Sequence, residues 1–132
     1  MSQENVEVVS GLLAAIEQVD LDAAVAKLDP EVEIEDTDIL DADDYRGHDG
    51  FFNWVARWNE SWESWRVEEI EVLRAGEDHA IALFRMVAKG KGSGIEMSRP
   101  DAVVCRVRDR KIVALTYYND QKRGLKAAGL SE

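Results

Sequence analysis

Nine residues near the C-terminal end, Ile112-Val113-Ala114-Leu115-Thr116-Tyr117-Tyr118-Asn119-Asp120, constrain the fold more than any other stretch. Alternation along an extended chain puts Ile112, Ala114, Thr116, Tyr118 and Asp120 on one face and Val113, Leu115, Tyr117 and Asn119 on the other. Neither side is a plain solvent face, and a strand apolar on both sides must be covered on both. The stretch is therefore expected to be a central strand delivering an acid to the end of an apolar sheet. Thr116, Tyr118 and Asp120 would then form a pocket wall, with Asp120 as a candidate base. The competing reading makes Asp120 the cap of a following helix.

The rest of the chain supplies what such a strand needs. Val6, Val9, Leu12, Leu13, Ile16 and Val19 recur at helical spacing and predict a first helix from about Ser2 to Gln18. Asp20 can cap a second over 21–28, stopped by Asp29-Pro30. Val32 and Ile34 alternate with Glu31, Glu33 and Glu35 in a half-exposed strand over 31–37. A third helix, capped by Asp49 and running to about Glu60, carries Phe51, Trp54, Val55 and Trp58 on one side, with Trp62 just beyond. That stripe reads as core, and Trp54 and Trp58 are also candidates to line a ligand cavity. Four strands then follow as a meander at about 65–75, 79–89, 95–108 and 111–119, with a short helix over 122–128.

Length and charge exclude several roles. A chain of 132 residues is expected to be one domain, 1–132, burying roughly two-thirds of its unfolded surface without a staple. The single cysteine, Cys105, lies in an apolar run and reads as a buried thiol. The net charge of −11 is concentrated in the first fifty residues, which hold fifteen acids against two bases. With no basic stripe, nucleic-acid and membrane-surface roles are disfavoured. No apolar run approaches the ~20 residues of a membrane span, and the acidic N-terminus is unlike a signal peptide, so a cytoplasmic protein is expected. Five aspartates between Asp36 and Asp44 lack the glycine and glutamate of a calcium loop. His48 and His79 lack a second ligand at zinc spacing. No metal or cofactor is called for, and Asp36 alone is kept as a pocket candidate.

Helix, helix, strand, helix and a meander make an α+β plan with helices over the concave face of a curved sheet. In that order, Leu21-Asp22 to Asp29-Pro30, Val32-Glu33, Tyr45-Arg46-Gly47, the tryptophan helix, Gly92-Ser93-Gly94, Arg110-Lys111-Ile112 and Tyr118-Asn119-Asp120 to Leu130 carry a resemblance. The chain resembles the SnoaL-like branch of the nuclear transport factor 2-like superfamily. That resemblance implies a cone-shaped α+β barrel, a curved antiparallel sheet with three or four helices covering its concave face, and a cavity holding a small hydrophobic molecule. Members act as polyketide cyclases, ketosteroid isomerases or limonene epoxide hydrolases, or bind without turnover, and fold alone does not choose among them.

The resemblance assigns Asp120 to the acid at the end of the last strand, with Tyr118 beside it. It seeks an Arg-x-Asp pair on a middle strand for epoxide opening, and Arg85-Met86-Val87 supplies only the arginine. Asp36 matches the isomerase base, whereas the partner positions hold Leu12 and Val103. The expected function is an acid/base enzyme of cyclase or isomerase type on a small hydrophobic substrate, using Asp120, Tyr118 and Arg85. Asp36, Trp54, Trp58 and Thr116 would contact the ligand. A non-catalytic binding module and a dimerisation or interaction domain are the alternatives. Because strands 79–89 and 102–107 are apolar on both faces, a homodimer through the sheet face is also expected.

Overall fold

The apolar spacing of the first seventeen residues folds as helix α1, Ser2–Glu17, which buries Val9, Leu12 and Leu13. Its end is a Schellman turn: the Val19 N–H donates to Ile16 O (3.0 Å) and the Asp20 N–H to Ala15 O (2.8 Å). Val19 therefore sits at φ 58, where glycine is usual, and a β-branched residue in that region costs about 1–2 kcal/mol. Asp20 then caps α2, Leu21–Val25, accepting the Ala23 N–H at 3.0 Å. This helix is shorter than the sequence suggests, because Leu28 already belongs to strand β1, Leu28–Asp36.

In the computed structural model, which describes residues 2–37 and 45–130, the remaining elements are β2 (Tyr45–Arg46), α3 (Gly47–Ser61), β3 (Trp62–Arg74), β4 (His79–Gly90), β5 (Glu96–Arg108), β6 (Lys111–Tyr118) and α4 (Gln121–Ala127). The aspartates at 38, 41, 43 and 44, and with them the calcium-loop question, lie outside the described residues. Asp49 falls in the first turn of α3, while Arg46 takes the cap position without a side-chain bond. Among the described residues no helix is long and apolar enough to cross a membrane.

Six strands form one sheet in the order β2-β1-β6-β5-β4-β3. The sheet is mixed, not wholly antiparallel as expected, because β1 runs parallel to its neighbour β6. A parallel pair needs a crossover connection, and here most of the chain lies between the two strands. Pairing on both sides makes β6 interior, as its two apolar faces require.

The phase of β6 differs from strict alternation. A register shift beside Val107 leaves Val113 unpaired, so Ile112 joins Leu115 and Tyr117 on the helix-covered face. Ala114, Thr116 and Tyr118 turn to the opposite, outer face. The inner face continues through Val103, Cys105 and Val107 of β5 and Ala82, Phe84 and Met86 of β4, under α1 and α3. Helix α4 does not join them. It lies on the outer face, where a β-carbon on Gly124 would come within 2.7 Å of Ala102 Cβ and 3.5 Å of Ile81 Cδ1. Of the four helices among the described residues, α1, α2 and α3 thus cover the concave face, within the expected three or four, and α4 packs on the opposite side.

The close approach at Gly124 sets the position of α4. Gly124→Ala should destabilise by about 1–3 kcal/mol through overpacking against the strand. Thermal unfolding should show a fall of several degrees in Tm, although alanine is the better helix former; an unchanged or raised Tm would mean α4 is not seated there.

Candidate functional site

Between the inner sheet face and helices α1, α2 and α3 lies a cavity of about 50 Å³. That exceeds the roughly 10–15 Å³ a single water needs and falls short of the ~300 Å³ of a ligand-sized pocket. Its walls are Leu12, Leu13 and Ile16 of α1, Leu21 of α2, Phe51, Trp54, Val55 and Trp58 of α3, and inward residues of β3 to β6, including Trp65, Phe84, Met86, Val103, Leu115 and Tyr117. Aromatic rings meet at Tyr117, whose centroid lies 5.3 Å from Trp58, 5.7 Å from Trp54 and 5.9 Å from Phe84. The two tryptophan contacts are edge-on, the arrangement the ring quadrupoles favour.

The chemistry stands behind these rings. Asp101 is completely buried on β5, on the same face as Val103. Its carboxylate accepts two bonds from the Arg99 guanidinium, Nε at 2.6 Å and Nη2 at 3.0 Å, and a third from the Tyr117 hydroxyl. Such a bidentate pair is among the stronger polar contacts a protein makes. Asp36, 2 % exposed and paired in register with Tyr117, accepts the Trp54 indole N–H at 2.8 Å. Burial pushes the Tyr117 phenol well above its ordinary range, the Asp101 charge and hydrogen bond add to this, and Arg99 opposes it. Tyr117 is thus a neutral phenol whose proton is already directed at a carboxylate.

Beneath this group, Gln121 at the start of α4 donates its amide to the backbone carbonyls of Asp101 and Phe84, both at 3.2 Å. Cys105 is buried, and burial raises its thiol pKa, so it is no nucleophile. Among the described residues, no three His, Cys, Asp or Glu side chains converge to hold a metal ion.

Of the residues nominated from sequence, Trp54 and Trp58 line the cavity and Asp36 anchors Trp54. Four others lie elsewhere. Asp120 caps α4, accepting the Lys122 N–H at 2.9 Å. Tyr118 is on the outer face beneath Arg123, whose guanidinium carbon is 5.6 Å from the ring centroid. Thr116 shares that face, half-buried. Arg85 also points outward, bonded to Glu69 at 2.8 Å and Ser98 at 3.2 Å. The cause is strand phase: Phe84 and Met86 face in, so Arg85 and Val87 cannot, and Tyr117, not Tyr118, enters the cavity.

Arg99, Asp101 and Tyr117 are absent from the residues nominated above. A signal was present, since period two through Val103, Cys105 and Val107 carries Asp101 into the buried set. Arg99-Pro100-Asp101 is itself an Arg-x-Asp pair, so the valine at 87 carries no weight against epoxide opening. The objection that stands is at the last strand, where the inward position holds Tyr117 in place of an acid.

The SnoaL-like domain model matches residues 9–115. Solved structures share the fold at low identity. A candidate polyketide cyclase from Xanthomonas campestris pv. campestris is 20% identical with a TM-score of 0.77, covering 96% of this chain and 98% of its own. An NTF2-like protein from Burkholderia thailandensis is 24% identical with a TM-score of 0.77, covering 96% and 95%. TerC, co-crystallised with polyporic acid, is 15% identical with a TM-score of 0.77, covering 96% and 98%. No functionally curated protein matches the chain.

The Tyr117 environment makes a pH prediction. Its pKa is higher folded than unfolded, so its contribution to stability is complete below the unfolded value of about 10 and fades as pH rises beyond it. In an alkaline titration followed by phenolate absorbance, one of the three tyrosines should ionise only as the chain unfolds, and Tyr117→Phe should remove that step. Three tyrosines titrating together near pH ~10 would contradict this environment.

Proposed function

The chain belongs to the SnoaL-like domain family, and on that premise we propose that it takes up a small, mainly hydrophobic molecule and acts on it by proton transfer, as a cyclase- or isomerase-like enzyme. The observation that carries this reading is a completely buried Asp101, bonded by a half-buried Arg99 and by Tyr117, whose ring lines an aromatic cavity. In place of Asp120, Tyr118 and Arg85, the working groups are Tyr117 and Asp101, held by Arg99.

The chemistry follows from the order of the groups. A substrate O–H, or a C–H beside a carbonyl, gives its proton to the Tyr117 oxygen as the Tyr117 proton moves to Asp101. No phenolate accumulates, which suits a phenol held neutral by burial. In reverse, the same pair returns a proton to another carbon or oxygen, giving an isomerised or cyclised product with no net change in protons. Arg99 holds the carboxylate in place through its two guanidinium bonds, so the Tyr117 proton has a fixed acceptor.

One observation favours the second reading, a binder without turnover. Every polar group described beside the cavity already has a hydrogen-bond partner, and such a network also serves to fix a rigid core. Asp36 and Trp54 would then only orient a ligand. On either reading, the outer sheet face, half-buried at Leu83, Val104 and Thr116, is where a second copy would sit.

A panel of small cyclic ketones and phenols, read by thermal shift and then by product analysis, separates the two. The enzyme reading expects at least one compound to be converted. Asp101→Asn and Tyr117→Phe should each then lower turnover by about 10²-fold or more, while the compound still raises Tm. Stabilisation without product across the panel would favour the binder, and no stabilisation by any compound would count against both.

A further inference from the structure

The cavity walls are buried except at four residues: Ile16 and Leu21 on one side, Trp58 and Trp65 on the other, are half-buried. These four mark where the cavity meets solvent, and the two sides differ. Trp65 is braced by its indole bond to Asn59 at 2.8 Å and packs 6.0 Å from Trp58, which in turn leans on Tyr117. That lip is fixed by rings and by the start of a long strand. The other lip is the α1–α2 corner, and its helix has five residues, with Ala24 as its one fully buried side chain. Its main packing is against α1.

Two points bound this corner. At one end is Val19, strained at φ 58 and 72% exposed, so no burial of its side chain offsets the strain. At the other, Ala26 O accepts the Lys111 ammonium at 2.6 Å and Lys27 O accepts the Ile112 N–H at 2.9 Å, tying the chain to β6. Between them the side chain reaching the cavity is Leu21.

We propose that the α1–α2 corner is the movable lip of the cavity, residues 20–25 swinging between Val19 and the β6 tether at Ala26 and Lys27 to lift Leu21 and admit a small apolar molecule. Opening lets Val19 leave the left-handed region, so strain held in the closed form is released. Asp20 keeps α2 folded as it moves, because its cap bond lies within the swinging segment. The inference rests on the reading above that the cavity takes such a molecule, and it adds the route and what sets the rate of access. The amides of residues 19 and 20 report the motion, because their bonds, to Ile16 O at 3.0 Å and Ala15 O at 2.8 Å, cross from the corner to α1 and are lost when Val19 leaves the left-handed region.

The test compares the full chain with Val19→Gly and Val19→Asn, both residues at home at positive φ. Native-state hydrogen exchange at the amides of residues 19 and 20, taken as protection relative to each sequence's intrinsic rate, reads the opening, and NMR reads the rate of benzene uptake. Relieving the closed-state strain should slow exchange at these two amides by about tenfold in Val19→Gly, less in Val19→Asn, with α3 amides unchanged. Benzene uptake should slow by the same factor. A higher Tm with exchange at residues 19 and 20 unchanged, or slower exchange with unchanged benzene uptake, would overturn the lip. If exchange responds but benzene never binds any of the three proteins, the cavity reading itself falls, and the access role with it.

Discussion

A carboxylate completely shut away from water dictates how this inner sheet face is built. Ionised and alone, Asp101 would be prohibitively costly to bury, and its charge is matched by two guanidinium bonds from Arg99 and one from the Tyr117 hydroxyl. Three residues on two neighbouring strands are thereby fixed in register. A buried pair of this kind is weak evidence of a stabilising role, because apolar packing of the same volume is often as stable or more so. The rings around Tyr117 and the complete burial of Asp101 keep water from the hydroxyl–carboxylate bond and so strengthen it, while Arg99 is half-buried.

Much of the architecture could be read from the chain. Helical spacing in the first helix, the aspartate cap at 20, the acid-apolar alternation of Glu31 to Glu35 and the hairpin signals all correspond to elements of the fold. Three features were hidden for identifiable reasons. The parallel pairing of β1 with β6 is a tertiary choice that no local pattern records. Strand β2, two residues long, has no periodicity to detect. The phase of β6 was ambiguous because both of its faces are apolar, and the unpaired Val113 shifts Ile112 across the sheet.

That phase decided how much of the site was legible. Polarity along 116, 118 and 120 points to a pocket on the face that α4 covers, where Tyr118 meets Arg123 and Asp120 caps the start of a helix. The tryptophans of α3 were easier, because a helix with one apolar side has a single way to face a sheet. Asp36 was visible as the acid closing an alternating strand. Asp101 was not singled out, since an acid between proline and an apolar run looks like a turn residue until the period of the strand is extended back through it.

Asp101 and Tyr117 form one hydrogen-bonded unit behind the cavity rings. A double-mutant cycle of Asp101→Asn and Tyr117→Phe, measured by urea unfolding, addresses that directly. If the hydroxyl and the carboxylate are coupled, the double mutant should be less destabilised than the two single mutants summed, by about 1–3 kcal/mol. Additivity to within about 0.5 kcal/mol would mean that the two side chains sit side by side without forming the site described.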